Sequence, residues 1–431
     1  MRAIIMAGGK GTRLQSVTRD EIPKPLTLIN GKSILEWQID CLLQNGINEI
    51  CIVIGYLGEK IQQALGNGSR LGVNLQYYNE EIPLGTAGAL AYLKEFIKGK
   101  EFVLVYGDCI FDIDINRMAT FHYRKKAHAT LFAHPNSHPY DSDLLLIDSQ
   151  NCITGILTKN MQRDGWYNNI VNAGIYILSG DVCKEIPVGY AVDLEKEYFT
   201  GLIPQGKLYG YISTEYIKDA GTPERIQEVA EDLTSGVVIT RNLKNKQKCI
   251  FLDRDGTINA DSGLVHKLED FELLPATATA IKSINKSGFL AIVVTNQPVV
   301  ARGLCNIENV ETVHNKMKTL LGAEGAYVDA IYFCPHHPDK GYPEENTMLK
   351  IPCECRKPGT AMIEQALKDY NISPELSWMV GDTTTDIQTG INAGLKTALV
   401  RTGEAGKDGK YLVTPDIKCI NLQDAINKII K

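Results

Sequence analysis

Two short apolar runs, far apart in the chain, end abruptly in loops of glycine or aspartate: residues 2–7 break at Gly8-Gly9, and residues 249–252 run into Asp253-Arg254-Asp255-Gly256. A run that is apolar at nearly every position, rather than at alternate ones, has both faces buried, as in a strand of a parallel sheet covered by helices on both sides. Further runs at 49–56, 102–106, 290–295, 378–380 and 397–400 repeat the pattern, separated by amphipathic stretches such as 33–45 and 360–370. The alternation predicts an α/β architecture. In open α/β sheets ligands bind beyond the carboxyl ends of the strands, so each loop is expected to open a site of its own.

A chain of 431 residues, 44% apolar and 22% charged, has room for two such domains and is unlike disordered, collagen-like or disulfide-scaffold sequences. The polar, basic stretch 240–248 lacks apolar periodicity, which places domains at 1–236 and 248–431 with a linker at 237–247. Lys and Arg number 45 against 51 Asp and Glu, a net charge of −6 without the basic excess that nucleic-acid binding needs. Eleven cysteines, an odd and scattered set, suit a reducing compartment with a local metal cluster better than a secreted disulfide framework. The first apolar run is too short for a signal peptide, and none approaches the ~18–20 apolar residues of a membrane span. The expectation is a cytoplasmic protein that binds neither nucleic acid nor membrane, with homo-oligomer formation left open.

The first loop reads Ala7-Gly8-Gly9-Lys10-Gly11-Thr12-Arg13-Leu14. Glycines let backbone N–H groups approach phosphate oxygens, and an arginine can bind them bidentately. The spacing fits neither G-x-x-x-x-G-K-[ST] nor G-x-G-x-x-G, which sets aside the P-loop and the dinucleotide fingerprint. Downstream, Lys24 is held between Pro23 and Pro25, where it could neutralise a phosphate under attack.

In order there follow P-L-G-T-A-G-A at 83–89, Tyr106-Gly107-Asp108, V-N-A-G-I-Y at 171–176, D-L-E-K-E at 193–197 and K-D-A-G-T-P-E at 218–224. With these, the first half resembles the sugar-1-phosphate nucleotidyltransferases, which implies a Rossmann-like domain. The resemblance implies that Gly8, Gly9, Gly11, Thr12 and Arg13 hold a nucleoside triphosphate and that Lys24 contacts the reacting phosphates. It implies that Gly85, Thr86 and Gly88 line the nucleotide and sugar pocket, that Asp108 and Asp219 bind Mg²⁺, and that Asn172 and Gly174 contact the sugar. Many relatives carry a Glu-Lys pair before N-A-G; the nearest equivalent is Thr158-Lys159, so Lys159 is either a sugar-phosphate ligand or a surface lysine. The 83–89 loop resembles the mannose- and heptose-1-phosphate branches more than the thymidylyltransferases, which favours GTP.

In the second loop two carboxylates stand two residues apart before a glycine, so that one can attack while the other, turned differently, moves protons. D-R-D-G-T at 253–257, Thr295-Asn296-Gln297, Arg356-Lys357-Pro358 and Gly381-Asp382 with Asp386 resemble, in order, the motifs of the haloacid dehalogenase phosphatases, again Rossmann-like. The resemblance implies that Asp253 becomes an aspartyl-phosphate, that Asp255 is acid and then base, and that Thr295 and Lys357 bind the transferring phosphoryl group. It places Mg²⁺ between Asp253, the Asp255 backbone carbonyl and Asp382, with Asp386 a supporting acid. Cys334, His336 or His337, Cys353 and Cys355 form a Cys₃His set suited to structural zinc. Their C-x-H…C-x-C-R-K-P arrangement resembles the heptose bisphosphate and histidinol-phosphate phosphatases, whose pattern picks His336 and implies a zinc loop over the site. Asn296 with Arg302-Gly303 resembles the heptose branch, making Arg302 and Arg356 candidates for a second, non-reacting phosphate. The segment 261–264 is a weaker candidate border, and the other eight cysteines are expected to be small core residues.

Together the halves imply consecutive steps. A phosphatase acting at C7 of D-glycero-alpha-D-manno-heptose 1,7-bisphosphate would make a sugar 1-phosphate for a nucleotidyltransferase, with GTP, in the assembly of lipopolysaccharide or another surface glycan. The alternatives are a histidinol-phosphate phosphatase joined to a mannose- or other hexose-1-phosphate nucleotidyltransferase, and an N-terminal half that senses nucleotide sugars.

Overall fold

The computed structural model describes residues 1–9 and 21–431. The chain divides into two compact units, one of Met1–His134, Leu145–Leu157 and Asn172–Asn242, the other of Pro135–Leu144, Thr158–Val171 and Leu243–Lys431.

The first is carried by β1 (Arg2–Ala7), α1 (Ile34–Gln44), β2 (Glu49–Ile54), β3 (Asn74–Asn79), β4 (Phe102–Tyr106), β5 (Cys109–Asp112), β6 (Ala129–His134), β7 (Leu144–Ile147) and β8 (Ile153–Leu157). It continues with β9 (Val171–Leu178), β10 (Leu208–Ile212), β11 (Tyr216–Asp219) and α2 (Pro223–Ser235). A nine-stranded sheet runs β8-β7-β9-β4-β1-β2-β3, with β6 joining β9 to β10. β1 is parallel to both β2 and β4, so Ile5 lies between Ile52 and Val105 with both faces covered. Strand order reverses at β1, which opens a crevice at the carboxyl ends of β1 and β4. Local chemistry sets the helix starts: Ser33 and Glu36 form a reciprocal capping box on α1, and Thr222 caps α2 ahead of Pro223.

The second unit has β12 (Lys248–Leu252), α3 (Thr277–Lys286), β13 (Phe289–Asn296), α4 (Ile307–Ala323), β14 (Ala330–Cys334), α5 (Ala361–Asp369), β15 (Trp378–Gly381), α6 (Thr384–Asn392), β16 (Lys396–Val400), β17 (Ile417–Cys419) and α7 (Leu422–Ile429). Its sheet is parallel throughout, ordered β14-β13-β12-β15-β16-β17. Ile250, Leu252, Val293 and Val380 pack with Ile281, Ile284 and Ile426, while Phe251, Ile292, Val294 and Met379 pack with Met362, Ile363 and Ala366. Alternate residues thus enter two different cores, which is why these strands are apolar at every position.

Within the stretch expected as a linker, Val237–Thr240 is a helical turn, and Val238 is buried in a small cluster with Tyr216, Ala220 and Val229. Of the eight cysteines expected in the core, Cys152 and Cys305 are only half-buried. Among the described residues no helix is long and apolar enough to cross a membrane.

Candidate active sites

In the first unit, Lys24 begins a short 3₁₀ turn whose flanking prolines fix its backbone. Its buried ammonium lies 2.7 Å from Asp108 Oδ2 and 3.9 Å from Asp219 Oδ1. The carboxylates come together because β5 and β11 pair antiparallel, with Asp219 opposite Cys109, and the Ala220 N–H donates to the Asp108 carbonyl at 2.8 Å. Arg225, which the sequence reading missed, holds the other Asp219 oxygen from the first turn of α2. Asp219 Oδ1 is buried and accepts no hydrogen bond from the described residues. An orphaned carboxylate oxygen beside a second carboxylate is a donor set that fits a hard divalent cation.

Gly8 lies where a Cβ would stand 2.7 Å from the Glu80 carboxylate, and a Cβ on Gly9 would meet none of the described residues within 4 Å. Gly11, Thr12 and Arg13 lie outside the described residues. The 84–88 loop pairs with 190–194: Gly85 has φ +75° and would press a Cβ to 2.5 Å from the Val192 carbonyl, and Gly88 would do the same to Tyr190. Thr86 Oγ1 accepts from the Leu194 N–H at 2.7 Å. Asn172 Nδ2 donates to Glu195 Oε1 at 3.0 Å, and the buried Tyr176 hydroxyl donates to the same oxygen at 2.7 Å. Gly174, at φ +79°, rests against the Tyr106 ring. Glu195 was visible only as part of D-L-E-K-E, with nothing to say which of its acids turns inward. Lys159 is exposed and belongs to the segment Thr158–Val171 of the second unit, where its backbone N–H donates to Asp143 at 2.7 Å.

In the second unit, Asp253 follows β12 and Asp382 follows β15, neighbours at the point where strand order reverses. The Asp253 N–H donates to the Val380 carbonyl at 2.9 Å. Lys357 Nζ, nearly dry, lies 2.6 Å from Asp253 Oδ1 and 2.5 Å from Asp386 Oδ1. Asn296 clasps the Lys357 backbone, donating to its carbonyl at 3.2 Å and accepting from its N–H at 2.9 Å. Asp253, Asp382 and Asp386 each place an oxygen within 4.8 Å of the others. Burial, with carboxylate neighbours, pushes Asp253 up to about 7 and Asp382 up to about 8. Burial pulls Lys357 down, but Asp253 and Asp386 outweigh it and hold its ammonium above the ordinary value. A dry group of three acids and one lysine has an excess of negative charge that a cation would relieve.

Asp255 is turned away from this group by residues that the sequence reading passed over. Arg254, fully buried, holds it from Nε at 3.0 Å and from Nη2 at 2.8 and 2.9 Å. Asn259 donates to it at 3.0 Å and Gln297 at 2.9 Å. Gln297 also donates to the buried Thr295 hydroxyl at 3.0 Å. Gly256, at φ +78°, brings the backbone so close to Asp382 that a Cβ would lie 2.4 Å from its carboxylate. The segment 261–264 is a mostly exposed turn, its Gly263 N–H bonded to Asp261.

A family model for nucleotidyl transferases matches residues 2–236, and one for HAD-hydrolase-like proteins matches residues 354–425. The D-glycero-beta-D-manno-heptose-1,7-bisphosphate 7-phosphatase of Haemophilus ducreyi is 42% identical over 161 residues, 37% of this chain and 86% of that protein. The chain belongs to the nucleotidyl transferase family and carries a HAD-like phosphatase. The mannose-1-phosphate guanylyltransferase of Mycobacterium tuberculosis is 30% identical over 237 residues, 54% of this chain and 65% of that protein. The solved structure of HddC from Yersinia pseudotuberculosis, at 25% identity and a TM-score of 0.46, covers 54% of this chain and 99% of its own.

The phosphatase half also gathers Cys334, His336, Cys353 and Cys355 into one cluster. Cys355 Sγ lies 3.1 Å from Cys334 Sγ, 3.3 Å from Cys353 Sγ and 3.2 Å from His336 Nδ1. His337, the other candidate in the sequence, faces Arg302 and Asp339 instead. Three thiols and one imidazole at mutual contact distance form a donor set that fits a tetrahedral metal ion. The cluster leads directly into Arg356, which donates to the His336 carbonyl at 3.4 Å, and then Lys357.

Proposed function

We propose that the phosphatase half removes the C7 phosphate of D-glycero-alpha-D-manno-heptose 1,7-bisphosphate and that the transferase half joins the resulting heptose 1-phosphate to GTP, releasing pyrophosphate. The observation that carries the first step is the arrangement of Asp253, Lys357 and Asp382 at the crevice of a domain 42% identical to a heptose bisphosphate 7-phosphatase. That relative is named for the beta anomer. The alpha anomer is proposed here because the phosphatase is joined to a transferase half that resembles the mannose- and heptose-1-phosphate branches.

Asp253 attacks phosphorus, the bond between phosphorus and the C7 oxygen breaks, and that leaving oxygen, still on C7, takes the proton of Asp255. Asp255 then removes a proton from water, which attacks the aspartyl-phosphate, frees inorganic phosphate and restores Asp253. Lys357 and Thr295 hold the phosphoryl oxygens; Arg302 and Arg356 take the second phosphate. In the other half Lys24, with Arg13, draws charge from the phosphates of the triphosphate while an oxygen of the sugar phosphate displaces pyrophosphate. Gly8, Gly9, Gly11 and Thr12 cradle the triphosphate, Gly85, Thr86 and Gly88 line the pocket, and Asn172 and Gly174 contact the sugar phosphate. Asp108 with Asp219, and Asp253 with the Asp255 carbonyl and Asp382, would hold Mg²⁺, which would supply charge neutralisation between anions at each site. Zn²⁺ on Cys334, His336, Cys353 and Cys355 is structural.

Both anomers of the bisphosphate, offered with Mg²⁺ and each nucleoside triphosphate in turn while phosphate and pyrophosphate are followed separately, test this reading. Phosphate release is expected from the alpha anomer, followed by pyrophosphate with GTP. Rapid hydrolysis of histidinol phosphate with no action on either heptose bisphosphate would sink it.

A further inference from the structure

The loop between the two halves of the thiol cluster holds a cation that the reaction above does not use. The Lys350 side chain is only 2% exposed, yet its ammonium makes no hydrogen bond to the described residues. The carboxylate beside it, Glu345 Oε2, is 3.5 Å away and already accepts from the Gly341 and Tyr342 N–H groups at 3.0 and 3.2 Å. The ammonium lies 4.5 Å from the centre of the Tyr342 ring, and the Arg302 guanidinium lies 4.8 Å from the same ring. Arg302 Nη2 is 3.5 Å from His337 Nε2, and Arg302 Nε is buried without a hydrogen-bond partner among the described residues. Arg356 reaches the neighbouring His336 carbonyl. Three cations, Arg302, Lys350 and Arg356, therefore gather with two acids, Glu345 and Asp339.

The loop is fastened to the segment that carries Arg302. The Asn346 N–H donates to the Ala301 carbonyl at 3.0 Å and the His337 N–H to the Leu349 carbonyl at 3.1 Å. Gly303, at φ +74°, gives the Glu344 carbonyl the space a side chain would occupy. A buried ammonium whose neighbouring carboxylate is 3.5 Å away and shared with two backbone N–H groups, and a buried guanidinium N–H without an acceptor among the described residues, are unfavourable in a dry site unless a ligand brings further acceptors. A dianion with several oxygens answers all three cations at once. The cluster adjoins the reacting centre along the chain, since Arg356 precedes the lysine that touches Asp253.

We propose that Lys350 joins Arg302 and Arg356 in seating the phosphate that is not transferred, so that the 337–350 loop makes the phosphatase select bisphosphates. This rests on the substrate reading given above.

The test uses the full-length protein with Mg²⁺ and compares heptose 1,7-bisphosphate with heptose 7-phosphate, which has the reacting group and lacks the other. The wild type is expected to favour the bisphosphate in kcat/KM. Lys350→Met is expected to reduce that preference about ten- to a hundredfold, the usual worth of a hydrogen bond to a charged group, through KM rather than kcat. Lys350→Arg should restore most of it, and metal content reports whether the loop keeps its structure. A wild type without preference overturns the proposal before any variant is made. Lys350→Met with an unchanged preference, including equal loss on both substrates, also overturns it. A wild type that hydrolyses neither sugar phosphate overturns the substrate reading, and the proposal with it.

Discussion

Asp253→Asn should make the phosphatase half inactive and more stable at once. Burial, with Asp386 and Asp255 adding repulsion and Lys357 opposing it, pushes the Asp253 carboxyl from 3.8 up to about 7. At 1.36 kcal/mol per pH unit, that gap of about 3 units is ~4 kcal/mol which the folded protein gives up to keep Asp253 ionised at pH 8. The sign follows from the raised value: the stability from this group is complete below its ordinary 3.8 and is lost as pH rises through about 7. Asparagine keeps the shape without the charge, and Lys357 retains Asp386 at 2.5 Å. In a chelator at pH 8 the melting transition of this unit should therefore rise by as much as roughly 8–16 °C, at about 2–4 °C per kcal/mol. The gain should shrink towards pH 4, and again when Mg²⁺ is added, because the cation stabilises the wild type by binding its folded form. Phosphate release should fall to background while nucleotidyl transfer from supplied heptose 1-phosphate persists. A lower melting temperature in chelator at pH 8, or a gain that ignores pH, would refute the electrostatic argument; loss of both activities in a folded variant would refute independent sites.

Lys24→Met removes the ammonium between Asp108 and Asp219 and should lower nucleotidyl transfer by about a hundredfold or more, with phosphate release unchanged, as read by separate pyrophosphate and phosphate assays. Cys355→Ser, at the centre of the thiol contacts, should lose whatever metal ion this cluster holds, as read by metal analysis, and weaken phosphate release, since the cluster leads straight into Arg356 and Lys357. Gly85→Ala would meet the Val192 carbonyl at 2.5 Å on a backbone of φ +75°, at a strain of about 1–3 kcal/mol, and should raise KM for the triphosphate while leaving phosphate release intact.

Much of the fold was legible because burial on two faces leaves a one-dimensional trace. Residues 249–252 read as a strand open to packing on either side, and the two cores that receive Cys249 with Phe251 and Ile250 with Leu252 bear this out. Local chemistry misled where apolar residues sat beside a basic stretch, as at Val237–Thr240, which a cluster formed by distant residues draws into the first unit.

The chemistry of each candidate site was also written in short motifs, because a loop after a strand needs particular residue types to approach a phosphate. By itself the sequence established two α/β halves and the groups available at each strand end. Which of those groups touch was decided by strand pairing and burial: β5 against β11 brings Asp108 and Asp219 to Lys24, and β12 against β15 brings Asp253 to Asp382. The choice of His336 over His337 at the thiols, the hold of Gln297 on Asp255, and the packing of Arg302 and the dry ammonium of Lys350 against one tyrosine ring depend on contacts between residues distant in sequence. Residue type and spacing determine which charges a chain carries; only packing removes water from some of them, and a charge without water is the one that requires a partner.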